Sequence, residues 1–194
     1  MDAKTIATTV VFAALTVALN QSPFKIPAPY APFLYYQIWE IPIVAAFLLY
    51  GPTIGVTISI INTLVLLALF PGALPTGPLY NLAAILGMLF GIYAVQGFLA
   101  GHFKGQKDAI MTILFTALGI VLRVGIMSIV NWTFLRYPPP VGFSIPEQAL
   151  TAMLPIIGLF NATLALYTIP IGYFLAKAVS SGTKTKMWDQ KPRK

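Results

Sequence analysis

The sequence predicts an all-α membrane protein: six transmembrane helices in one bundle, with both termini on the cytoplasmic side. Three observations carry this. Hydrophobic residues make up 58% of the 194 and charged residues only 9%, with a mean hydropathy of +0.82, whereas soluble domains are nearer about a quarter charged. The length suits about six helices of about 20 apolar residues, the length a bilayer core demands. The cations fall on alternate connections between the apolar runs.

The first helix is expected over 3–19. Lys4 ahead of the apolar run Ile6–Leu19 resembles a signal peptide. Asp2 interrupts the basic leader, however, and VALNQS offers no small-x-small cleavage site, so the segment is read as a retained helix. Pro23, Pro27, Pro29 and Pro32 exclude a helix from 20–38 and favour an extended path. Helix two is expected over 39–50, ending at the break Gly51-Pro52, and helix three over 53–69. FPGALPTGP (70–78) is a turn-rich loop, followed by helix four over 79–101 and the short basic loop HFKGQK (102–107). Helix five covers 109–134, the Pro-rich loop LRYPPPVGFSIPEQ covers 135–148, and helix six covers 149–178, with Pro155 and Pro170 as candidate bends. Residues 1–179 form the transmembrane domain. Residues 180–194 form a polar, basic cytoplasmic tail expected to be mobile.

Charge sets the orientation. One side carries Lys4, Lys104, Lys107, Lys177, Lys184, Lys186, Lys191, Arg193 and Lys194, and the other only Lys25 and Arg136. By the positive-inside rule the first side is cytoplasmic. The loops 20–38, 70–78 and 135–148 are then external, all at one end of the bundle. Six of the cations fall between Lys177 and Lys194. The net charge of +7 therefore points to anionic lipid or a membrane-side partner, not to nucleic acid. With no cysteine, the chain has no disulfide, thiolate metal site or cysteine nucleophile.

Glu40, Asn62, Asn81, Arg123, Asn131 and Asn161 lie in or beside the apolar runs. Polar groups there need partners, so they face a protein interior or a polar ligand. Arg123, Met127 and Asn131 are spaced by four and form one stripe, drifting about 40° per step and rising about 12 Å. A cation, a thioether and an amide in line can form the wall of a pocket for a planar polar ligand. The competing reading pairs Arg123 with Glu40 and makes Asn131 an interhelical bridge. Glu40 itself either sits at the membrane interface on a helix N-terminus or contacts ligand. Asn62 reads as interhelical glue; Asn81, at the external start of helix four, is open between the two roles. Phe24, Tyr30, Phe33, Tyr35, Tyr36 and Trp39 form either an interfacial aromatic belt or a lid whose rings stack on a flat ligand. Ala14 and Ala18 set two small residues one turn apart, a spacing that lets another helix approach closely. Phosphate-loop, nucleophile-elbow and zinc-protease motifs are absent, and the single histidine, His102, falls in the cytoplasmic loop. No enzyme, cofactor or metal site is expected.

The segment FLYYQIWEIPIVAAFLLYGPTIGV (33–56) resembles the helix-two to helix-three region of the substrate-binding S components of energy-coupling factor (ECF) vitamin transporters, with Glu40-Ile41-Pro42 and Gly51-Pro52 in place. GPLYNLAAILGM (77–88) fits the head of their helix four. Arg123, Met127, Asn131 and Pro138 on helix five, and Phe160-Asn161 on helix six, resemble the riboflavin-binding S components. The similarity runs over roughly 5–178. Two positions depart from the riboflavin-type pattern: Leu164 stands where it carries a Lys, and Trp39-Glu40 where it carries Ser-Asp. The resemblance implies a non-enzymatic subunit that captures a vitamin from outside. Riboflavin or a related flavin is the expected ligand, and Asn131 and Asn161 the flavin contacts. It implies docking through Ala14 and Ala18 to a transmembrane coupling subunit served by two cytoplasmic ATPases. The expected binding set is Glu40, Arg123, Met127, Asn131, Asn161, Asn81, Tyr35, Tyr36 and Trp39. The alternatives are an S component for another vitamin, a self-contained secondary transporter, and a non-transporting scaffold.

Overall fold

A computed structural model of the chain describes residues 3–23, 25–70, 72–99 and 108–188. Among these are six α-helices: α1 (Ala3–Asn20), α2 (Glu40–Tyr50), α3 (Pro52–Leu69), α4 (Gly77–Ala94), α5 (Asp108–Phe134) and α6 (Glu147–Thr183). The last turns of α4 widen into a π-helical stretch, Val95–Leu99. The end of helix four beyond 99, the basic loop 102–107, Phe24, Lys191, Arg193 and Lys194 lie outside the described residues.

Four segments are long and apolar enough to cross a membrane: Pro52–Leu69, Gly77–Gly97, Asp108–Phe134 and Glu147–Thr183. The other two apolar helices are shorter, Thr5–Asn20 and Glu40–Tyr50. The sequence reading gave six spanning helices, with helix two over 39–50 the shortest. In the structure, α2 has 11 residues, about 16 Å at 1.5 Å per residue, roughly half a bilayer core. It is apolar on every side and is buried from Pro42 to Leu49, as expected of a helix inside a bundle. α1, α3, α4 and α6 surround it. Ile43, Phe47, Leu48 and Leu49 lead the main core, with Ile58, Ile85, Met88 and Ile169 from the neighbouring helices.

The break between α2 and α3 is Gly51, whose φ of +104° only glycine adopts without strain. Pro52 then opens α3 at a position where its missing N–H costs nothing. α4 and α5 cross at backbone contact: a Cβ on Gly91 would stand 2.7 Å from both Gly119 Cα and the Leu118 carbonyl oxygen. α6 also closes on Gly119, through Ile169.

Residues 26–36 are not irregular. Ile26–Ala28 (β1) and Ala31–Tyr36 (β2) pair as an antiparallel hairpin through the turn Pro29-Tyr30, so the all-α expectation is corrected. The prolines are tolerated because a two-stranded sheet consists of edges. α6 also runs past the expected end, to Thr183. Beyond it the chain folds back: Met187 is buried, and Trp188 stacks on Tyr93 at 6.0 Å and meets Phe47 edge-on at 6.1 Å. Residues 180–188, which the sequence reading assigned to the tail, thus include the end of α6 and a segment packed on the bundle. An exposed ion pair between Lys177 and Asp108, with the Tyr173 hydroxyl donating to Asp108 at 3.0 Å, ties the start of α5 to the end of α6.

Candidate functional site

A cavity of about 770 Å³ opens at one end of the bundle, within the range of small-molecule sites. Each helix contributes to it: α1 with Asn20, α2 with Glu40, α3 with Leu66, α4 with Pro78, α5 with Arg123 to Asn131, and α6 with Met153 to Leu164. The three Pro-rich connections also converge there, contributing Phe33 and Tyr35, Phe70 and Leu74, and Phe143 and Ile145. They are tied in place. The Tyr80 hydroxyl donates to the Val141 carbonyl at 2.8 Å and the Thr76 hydroxyl to the Pro140 carbonyl at 2.6 Å. On the hairpin side, the Tyr167 hydroxyl donates to the Gln37 carbonyl at 2.5 Å.

The wall carries a buried polar cluster. Arg123 Nη1 donates to Glu40 Oε2 at 2.5 Å and Nη2 to Glu40 Oε1 at 2.9 Å, each side chain 3% exposed. Arg123 Nε donates to Asn161 Oδ1 at 3.0 Å, and Nη1 also faces Met88 Sδ at 3.8 Å. Asn161 Nδ2 in turn donates to the Ile157 carbonyl at 2.9 Å. The guanidinium fork, planar and rigid, matches the carboxylate in two-pronged fashion. The two readings left open by the sequence merge here: Arg123 does pair with Glu40, and both residues line the cavity. Asn131, one turn outward from Met127, spends one amide N–H on the Met127 carbonyl at 2.6 Å. No described residue donates to its Oδ1, which leaves an acceptor at the cavity. The charges of Glu40 and Arg123 therefore offset each other within the cluster, and Lys25 is a further cation on the cavity lining.

Eight of the nine expected binding residues line the cavity: Glu40, Arg123, Met127, Asn131, Asn161, Asn81, Tyr35 and Trp39. Asn81 is exposed; Trp39 is buried at 4% exposure. Tyr36 is the exception. Phe33, Leu34, Tyr35 and Gln37 line the cavity, whereas Tyr36 packs on α6 with Phe160 and Tyr167. Its hydroxyl meets Thr163 at 2.8 Å and Tyr30 at 2.5 Å. Burial pushes the Tyr36 phenol up, keeping it protonated. Tyr36 thus anchors the hairpin and stands behind Phe160. Asn62 lies outside the cavity, buried among α3 residues with its Oδ1 unpartnered among the described residues. Ala14 and Ala18 are exposed on α1, away from the cavity.

The sequence reading missed Asn20, Leu66, Tyr80, Ile145 and Met153 at the cavity. Asn20 had a legible signal: Thr9, Ala13, Thr16 and Asn20 recur at four, three and four residues, the spacing of one buried face. The loop residues had none, because their convergence depends on how three connections fold together.

The sequence matches no protein-family model and no curated protein. Among solved structures it is similar to a chain described as the S component of a bacterial ECF transporter, with a TM-score of 0.71 and 20% identity, over 93% of this chain and 98% of that one. At that identity the likeness is one of fold.

Proposed function

We propose that this chain is the substrate-capturing membrane subunit of an ECF-type importer and that the cavity binds a vitamin, with riboflavin or a related flavin as the leading candidate. The observation that carries the reading is the cavity itself. In an S-component fold, Glu40, Arg123 and Asn161 meet in one wall of the cavity, beside Met127, Asn131 and the hairpin aromatics. A flat ring buries its faces on apolar groups, worth about 25 cal/mol per Å², while Asn131 reads its polar edge. The charge asymmetry of the loops supports an orientation with both termini in the cytoplasm and the cavity facing outward. Import needs a coupling subunit, docked on the Ala14 and Ala18 face of α1, and two ATPases, because this chain carries no nucleotide-binding motif.

A second reading has one observation in its favour. Leu164 lines the cavity and is 5% exposed, so the position where the riboflavin-type pattern carries Lys is apolar here. An S component for another vitamin accommodates that difference.

Fluorescence titration of purified chain with riboflavin separates the two. Quenching at dilute protein, with yellow flavin copurifying, supports the flavin assignment. Tight binding of a different vitamin with no quenching of riboflavin overturns it and leaves the capture role standing.

A further inference from the structure

The inner face of α1 carries Thr9, Ala13, Thr16 and Asn20, each 6% exposed or less. The two threonines satisfy themselves within the helix: Thr9 donates to the Thr5 carbonyl and Thr16 to the Phe12 carbonyl, both at 2.8 Å. Asn20, the last residue of the helix, has no such outlet. Its Nδ2 has no hydrogen-bond partner among the described residues, although it is 94% buried and lines the cavity. Native proteins pair nearly all buried amides, because an unmet donor bears the full cost of leaving water.

Asn20 also differs in position from the polar cluster. α1 packs on α2, which carries Glu40, and on α3, whereas Arg123 and Asn131 stand on α5 and Asn161 on α6. The Arg123 cluster is closed on itself, whereas the Asn20 donor is buried and without a partner among the described residues. We infer that Asn20 is a ligand-binding residue whose amide N–H donates to an acceptor of the bound molecule, a carbonyl or hydroxyl oxygen or a ring nitrogen. A ligand held by both Asn20 and Asn131 then joins α1 to α5 across the cavity. The helix so engaged carries Ala14 and Ala18 on its exposed side, so occupancy is felt at the end of the proposed docking helix. This inference rests on the capture reading above.

The test uses full-length purified chain with riboflavin as the first probe. Asn20→Leu removes the donor at similar volume, and Asn20→Asp replaces it with acceptors at the same shape. Riboflavin affinity should fall about 3- to 10-fold in Asn20→Leu, the range of one neutral hydrogen bond, and further in Asn20→Asp. The ligand-free melting temperature of Asn20→Leu should be unchanged or higher, because an unmet buried amide is gone. Unchanged affinity in both variants overturns the inference. So does a lower ligand-free melting temperature in Asn20→Leu, which would show a structural partner for the amide. If the wild-type chain ignores riboflavin, the flavin assignment fails alone. The same variants are then measured with whichever member of a panel of water-soluble vitamins raises the wild-type melting temperature. A wild-type chain stabilised by no member overturns both the capture reading and the role of Asn20.

Discussion

Arg123 is held at every nitrogen of its side chain. Its three nitrogens are engaged by Glu40, Asn161 and Met88. An ion pair in an apolar interior is a weak source of net stability, since both partners lose their water. Losing one partner alone is a different matter, because it strands the other. Glu40→Gln or Arg123→Met should each lower stability by about 3–5 kcal/mol, read as a fall in ligand-free melting temperature. The combined Glu40→Gln, Arg123→Met chain should recover much of that loss. A double variant as unstable as the sum of its singles would show that the two charges act independently, against the two-pronged geometry. Both residues were legible from sequence because charge is so rare in these runs. Their pairing was not, because they are 83 residues apart and helical spacing carries no information between separate helices.

Among the elements, the α4–α5 crossing brings Met88 against Arg123, which lines the cavity. The contact at Gly91 is with backbone, which cannot swing aside as a side-chain tip can. Gly91→Val should therefore destabilise by at least the about 1–3 kcal/mol of core overpacking and weaken ligand binding by spreading the two helices. Wild-type melting temperature and affinity in that variant would refute the close crossing. Helices three to six were readable within a few residues, because long apolar runs bounded by Pro and Gly leave few other structures open. The hairpin was not. Its prolines rule out a helix, but strand pairing is decided by long-range anchors such as Tyr36 to Thr163 and Tyr167 to Gln37. The shortness of α2 was in plain view as Gly51-Pro52. Its full burial was hidden, because in an apolar sequence hydrophobicity no longer separates a core helix from a lipid-facing one. The same difficulty hid the return of Trp188, read from composition as part of a basic tail.

At the scale of the whole molecule, the fold matches an S component while the sequence matches no family model. A bundle of apolar helices tolerates wide exchange among Leu, Ile, Val and Ala, so arrangement outlasts identity. What such a fold does must then be argued from its surfaces. Exposed apolar side chains such as Val11, Ile113, Ile129 and Phe174 occur on several helices, as lipid contact requires, so exposure alone marks no docking face. Ala14 and Ala18 differ because both are exposed, small and one turn apart, which allows a partner helix to approach to backbone distance. Their side is opposite the buried Thr9–Thr16 face, so bulk added there leaves the core and the cavity untouched. Ala14→Trp and Ala18→Trp should therefore keep wild-type ligand affinity and melting temperature in purified chain while abolishing uptake in cells that supply the coupling subunit and ATPases. Cells lacking the ATPases should bind ligand and not accumulate it. Accumulation without ATPases would replace the proposal with a self-contained transporter. Unimpaired uptake by both tryptophan variants would move the docking surface to another face of the bundle, and joint loss of binding and uptake would show that the alanines support the fold itself.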